Sequence, residues 1–204
     1  MRNRNGLNNT TRHTNLVRHA NLLCPGDSVS DAVRAVEVEL DQSEPAILRL
    51  RYSITGDTRR VTIPALSPPT RQDGLWQHTC FEVFVKGPDE AYCEFNFSPS
   101  RQWAAFCFDA YREGMAQMQL SSAPLIHIES LPGGFELEAV VGLKGLINVE
   151  TGDQTWLGLA AVIEDRDGSL SYWALTHPPG KADFHHSDGF VLALTDNDAR
   201  SQRD

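Results

Sequence analysis

The chain has no apolar run long enough to cross a bilayer: its longest, Trp156 to Ile163, falls far short of the roughly 20 residues a spanning helix needs. Its opening, MRNRNGLNNTTRHTNLVRHANLLC, lacks the continuous apolar core of an export signal. Cysteine is sparse, at four (Cys24, Cys80, Cys93 and Cys107), and no C-x-x-C spacing is present, which excludes a zinc ribbon and a thioredoxin-type motif. Basic residues are in deficit, 18 against 27 acidic, for a net charge of −9; a phosphate backbone is excluded as partner, so no nucleic acid and no membrane are expected. Neither a nucleophile elbow, a phosphate loop nor a metal-ligand spacing occurs. Helical periodicity is scarce, DAYREGMAQMQL (109–120) offering at most a short helix or a long loop. These absences lead to the expectation of a soluble cytoplasmic protein with four free, buried thiols.

What is present is strand alternation. AVEVEL (35–40) and ILRLRYSI (47–54) each place apolar side chains on one face, with Leu48, Leu50, Tyr52 and Ile54 opposite Arg49, Arg51 and Ser53. Turn signals separate later segments: TGD after residue 54, Pro-Gly-Gly within LIHIESLPGGFELEAVV, and Asp167-Gly168 within TWLGLAAVIEDRDGSLSYWAL. About ten short strands with close-set turns predict an all-β fold, a mostly antiparallel β-sandwich or jelly roll. The 204 residues suit one domain over 28–196, with a flexible lead-in at 1–27 and a tail at 197–204.

The stretch TCFEVFVKGPDEAYCEFNF (79–97) reads as a hairpin. Burying Phe81, Val83 and Val85 with Cys93, Phe95 and Phe97 turns Glu82, Tyr92, Glu94 and Asn96 to the other face. A turn centred near Pro88 would set Phe81 against Phe95 and Glu82 against Glu94, a like-charge pairing that is destabilising unless something relieves it. In the next segment, RQWAAFCF (101–108), opened by Arg101, the expected core side is Ala104, Phe106 and Phe108, leaving Trp103 beside the carboxylates. With Trp76 at the mouth of the first strand, carboxylates and an amide lie among aromatic rings, a set that suits a neutral polyol: rings cover its C–H faces and carboxylates accept from its hydroxyls. A second cluster, YWALTHPPGKADFHHSDGF (172–190), holds Trp173, His177, Lys181, Asp183, His185 and His186; its H-x7-H-H spacing fits no standard metal site, and Trp173, Lys181 and the histidines are groove-rim candidates. No metal or cofactor is therefore expected, with calcium or a haem held by Met115, Met118 and these histidines as the alternatives.

The segments LWQHTCFEVFV, YCEFNFSPSRQWAAFCFDAYREGM and LSYWALTHPPGKADFHHSDGF resemble DOMON-like proteins related to the family-9 carbohydrate-binding modules, over most of residues 30–195. The resemblance implies a β-sandwich that binds a small ligand, sugar or haem in known branches. It implies that Trp76 stacks on the ligand and Glu82 accepts hydroxyl protons. In the last third, where the relatives would supply an arginine and a second stacking Trp, this sequence has Trp173, His177 and the His185–His186 pair. The expected function is non-catalytic carbohydrate binding, with glycoside processing by Glu82 and Glu94 as the enzymatic alternative.

Overall fold

A computed structural model of the chain describes residues 17–26, 28–44, 47–144, 146 and 154–194. Twelve strands follow in order: β1 (Val17–Leu22), β2 (Val33–Asp41), β3 (Ile47–Gly56), β4 (Cys80–Lys86), β5 (Tyr92–Phe97), β6 (Trp103–Phe108), β7 (Ala116–Gln117), β8 (Leu125–Leu131), β9 (Gly134–Gly142), β10 (Thr155–Glu164), β11 (Leu170–Ala174) and β12 (Leu192–Leu194). They form two antiparallel sheets, one ordered β1-β2-β3-β9-β8 and the other β11-β10-β4-β5-β6-β7, with β12 also pairing β10. The protein is an all-β sandwich, as the alternation predicts. Among the described residues the helical turns are three short 3-10 turns, and 109–120 forms a loop carrying β7 instead of a helix.

The alternating faces of β2 and β3 build the core from the first sheet: Val36, Val38, Leu40, Leu48, Leu50, Tyr52 and Ile54 are all at most 1% exposed. From the second sheet come Phe81, Val83, Phe95, Phe97, Leu157, Leu159, Ala161 and Ile163. Phe81 packs against Tyr52 and Phe135 of the facing sheet, with ring centroids 5.0 and 6.1 Å away. The Tyr52 hydroxyl donates to the Glu82 carbonyl at 2.7 Å, fixing the depth of β4 against the first sheet. The other face of the second sheet is covered as well. A smaller cluster of Cys80, Phe84, Tyr92, Ala104, Phe106 and Phe108 lies there beneath the loop carrying Phe190, so six successive residues of β4, Cys80 to Val85, are buried.

That double burial corrects several expectations. The hairpin pairs Phe81 with Phe97, Glu82 with Asn96 and Phe84 with Glu94, a register two residues from the expected one, because the turn is centred one position later and Lys86 pairs Tyr92. Glu82 and Glu94 therefore share a face as diagonal neighbours and are not directly opposed. In β6 the facing is reversed: Trp103 pairs Phe97 and Ala105 pairs Phe95, so both turn inward, while Phe106 pairs Glu94 and stands on the carboxylate face. On a strand buried on both sides, hydrophobicity no longer reports which side faces the core. The five-residue turn Ser98–Gln102 sets the facing instead, closed by Ser98 N–H to Gln102 O at 2.9 Å and by Arg101 at φ 75°. The lead-in also differs from expectation. Residues 17–22 form a full strand on β2, while residues 1–16 and 197–204 lie outside the described residues.

Cys93 and Cys107 are joined in a disulfide directly across β5 and β6, with Cα atoms 4.1 Å apart, while Cys24 and Cys80 are free. The expectation of four free thiols fails because it weighed composition and spacing alone, whereas cross-strand register sets this pair face to face. The bond closes a loop of 14 residues in sequence separation, which predicts about 3 kcal/mol of stabilisation through the unfolded state. Replacing both cysteines by alanine is expected to lower the urea-unfolding free energy by about 2–3 kcal/mol; an unchanged midpoint and slope would mean the bridge does not form.

Candidate functional site

The outer face of the second sheet carries a cavity of about 430 Å³ with Glu82 and Glu94 in its floor. Both acids are buried, at 2% and 5% exposure. Glu94 Oε1 accepts from Asn96 Nδ2 at 2.6 Å. Asn96 Oδ1 in turn accepts a weak bond from the Cys80 thiol at 3.5 Å. Glu82 Oε1 is buried and has no hydrogen-bond partner among the described residues. A buried oxygen left without a hydrogen bond is costly.

Aromatic side chains wall the cavity: Phe106 and Phe108 from β6, Tyr172 from β11, and Phe184 from the loop before β12. Trp76 stands at the mouth. Gly74, at φ +80°, opens the 3-10 turn Leu75–Gln77, which buries Leu75 and leaves the Trp76 ring 38% exposed, edge-on to Phe106 at 5.8 Å. Two loops close the sides. The 109–115 loop turns back at Gly114 (φ +66°), where any Cβ would lie 2.1 Å from the Asp109 carboxylate. It presents Arg112, held at φ 56°, whose guanidinium forms an ion pair with Asp183 at 2.7 Å. Asp183 also accepts from the Tyr111 hydroxyl and from the His185 backbone N–H, so one carboxylate ties the two loops together.

His185 links this strap to the floor. Its Nδ1 lies 2.7 Å from the Tyr92 hydroxyl, which already accepts the Arg112 N–H at 3.2 Å. The direction of that bond decides which ring nitrogen carries the proton, and Nε2 lies 3.8 Å from Glu94 Oε2. Burial, with Arg112 nearby, lowers the His185 pKa to about 4. The contact with Glu94 is consequently one between a neutral ring and an acid at neutral pH, not an ion pair. Burial, reinforced by the charge of Glu94, raises Glu82 well above the ordinary carboxylate range. Glu94 is also raised by burial, against the opposing pull of its Asn96 bond and Arg112.

The cavity thus assembles Trp76, Glu82, Glu94 and His185 of the residues singled out in the sequence, with Tyr92 and Asn96 supporting them from behind. The others stand elsewhere. Trp103 and Trp173 face the sandwich interior, Trp103 beneath the Arg71 guanidinium and Trp173 donating to Ser171 Oγ at 3.0 Å. Arg101 shapes the β5–β6 turn. His177 bonds the Leu23 carbonyl at 2.7 Å, His186 caps the turn Ser187–Gly189, and Lys181 is exposed away from the cavity walls. The three histidines diverge, and among the described residues no group of three His, Cys, Asp or Glu could hold a metal ion. Met115 reaches the cavity, whereas Met118 packs against the sandwich core. Sequence reasoning missed Arg112 and Tyr172, took Phe106, Phe108 and Phe184 for core, and saw Asp183 only as a member of the His-rich cluster. The two phenylalanines of β6 were legible once its facing was right; Arg112 and Asp183, 71 residues apart, carried no local signal.

Fold and cavity together define a β-sandwich with a ligand-sized, aromatic-walled, acid-floored hollow on one sheet. No family model matches the chain, and no curated protein does. Among solved structures it is similar to a candidate carbohydrate-binding protein from Bacteroides uniformis, at 13% identity over 87% of this chain and 86% of that one, with a TM-score of 0.64. A family-9 carbohydrate-binding module from Caldicellulosiruptor kristjanssonii, solved with cellotriose, is similar at 11% identity over 86% of this chain and 82% of that one, with a TM-score of 0.49. A family-9 module from the same organism, in complex with glucose, gives 13% identity, 75% and 72% coverage and a TM-score of 0.44. The Bacteroides likeness is one of fold: the same sandwich over nearly the full length of both chains.

Because Glu82 is raised by burial, the folded state holds its proton more tightly than the unfolded chain does. Stability is therefore fully present below the ordinary carboxylate value of 4.5 and falls as pH rises through the folded pKa. Glu82→Gln, which keeps the shape and removes the charge, is expected to stabilise the protein by about 1–3 kcal/mol at neutral pH. Melting curves should show that gain shrinking toward pH 4.5; a variant less stable than wild type at every pH would contradict the assignment.

Proposed function

We propose that this cavity binds a carbohydrate without transforming it. One observation carries the reading: a buried carboxylate oxygen with no partner, Glu82 Oε1, in the floor of a hollow with an indole at its mouth. A sugar hydroxyl supplies the missing donor, and a ring laid on Trp76 presents its apolar C–H face to the indole. Glu94 Oε2 and His185 Nε2 lie 3.8 Å apart in the same site, so a single sugar can engage both. The volume of about 430 Å³ falls in the range of small-ligand pockets. The Bacteroides neighbour's description as a candidate carbohydrate-binding protein supports the reading, and kinship with DOMON-like proteins belongs to the same proposal.

Titrating the protein with a panel of mono- and disaccharides is expected to give a saturable change in tryptophan fluorescence. Trp76→Ala should weaken the best binder about tenfold, the worth of one aromatic contact, and Glu82→Gln should weaken it comparably. No response across the panel, or full affinity in Trp76→Ala, would overturn the reading.

A further inference from the structure

We propose that the cavity selects ligands bearing a protonated amino group, so that the sugar it takes is an amino sugar; this rests on the carbohydrate reading above and narrows it. The case is one of uncompensated charge. Glu82 and Glu94 are diagonal neighbours in the floor, and the nearest cation offsets them only in part. The guanidinium that lines the cavity, Arg112, is engaged at 2.7 Å by Asp183. Arg71 lies by Phe106 and Trp103, with its donors on the Ala105 and Met118 carbonyls and its charge near Asp73 at 3.4 Å. The ring nitrogen nearest Glu94 belongs to the neutral His185 at 3.8 Å.

A hydroxyl gives Glu82 Oε1 a hydrogen bond but brings no charge to two neighbouring acids that burial holds toward their protonated forms. An ammonium gives up to three donors and the opposite charge at once. The walls point the same way: Phe106, Phe108, Tyr172 and Phe184 present aromatic surface beside the acids, and such faces attract a desolvated cation. An acidic sugar or a phosphate would meet the acids with like charge and is disfavoured. The groups that set the potential on the bound amine are Glu82 of β4, Glu94 of β5, Tyr172 of β11, Arg112 of the 109–115 loop, and Asp183 and His185 of the loop before β12. Arg112, paired with Asp183, draws both glutamates down without outweighing their burial, and His185 is neutral at neutral pH, so the titrating groups are the two glutamates. A bound ammonium favours their ionised forms, so its uptake expels protons, while uptake of a neutral sugar does not.

The test is calorimetric titration of the wild-type protein with D-glucosamine, D-glucose and ethanolamine, in two buffers of different ionisation enthalpy. Glucosamine is expected to bind at least about tenfold more tightly than glucose, with a buffer-dependent enthalpy that reports proton release. The preference should vanish in the double variant Glu82→Gln/Glu94→Gln, its fold verified by melting. Glucose binding as tightly as glucosamine overturns the amine inference and leaves the carbohydrate reading standing. Ethanolamine binding with no response to either sugar keeps the amine inference and overturns the carbohydrate reading. No response to any of the three overturns both.

Discussion

The arrangement depends on one constraint: β4 is buried on both faces, yet one of those faces carries a carboxylate. Toward the first sheet, Phe81 and Val83 lock the sandwich, and Tyr52 reaches across to the Glu82 carbonyl. Away from it, the same strand pushes the Glu82 side chain into a hollow roofed by loops. The backbone of one residue is thus anchored by the core while its acid is withdrawn from bulk water. Burying an ionisable group without a counterion is among the costliest things a fold can do, and it persists here beside a second acid, Glu94. The cavity's chemistry follows from that cost: whatever enters must donate to these oxygens.

The roof is a network rather than a set of isolated contacts. Asp183 holds Arg112 and Tyr111 from one loop and the His185 backbone from its own. Tyr92 receives the Arg112 N–H and shares a hydrogen bond with His185, which stacks edge-on against Phe84 and Phe108. Each member fixes a neighbour's orientation, so the loops that cover the acids are positioned by hydrogen bonds that converge on strand residues. Such a network is rigid when complete, and it places Nε2 of His185 at a definite point in the wall. Preorganisation of this kind lets a small polar ligand bind without first ordering its site.

Much of the architecture was legible in the sequence, and the limit of that legibility has a physical cause. Wherever one face of a strand met water, as in β2 and β3, alternation identified the core side chains correctly. The parity of Glu82, Tyr92, Glu94 and Asn96 was likewise right, because the phenylalanines of the hairpin leave no other choice. Reading failed on β6, where Phe106 and Phe108 look like core and are instead the lining of the cavity, and where Trp103 looks like a ligand platform and is core. Both faces being covered, apolarity stopped discriminating. The strap escaped for a different reason: Arg112 and Asp183 meet only because the second sheet carries β6 and β11 on the same covered face, and no local pattern encodes that meeting. The disulfide belongs to the same class, since Cys93 and Cys107 become partners only through strand register.

A site built around two acids that lack a counterion makes a direct spectroscopic demand. The decisive measurement is a pH titration of the side-chain carboxyl carbons by NMR on protein labelled at glutamate, with the two signals assigned by single Gln replacements. The side-chain carbons of Glu82 and Glu94 should both titrate above the ordinary value of 4.5, with Glu82 the higher and each sensing the other's ionisation. Two independent titrations at or below that value would show the acids to be solvated or paired, and would remove the reason for the cavity to hold a ligand at all.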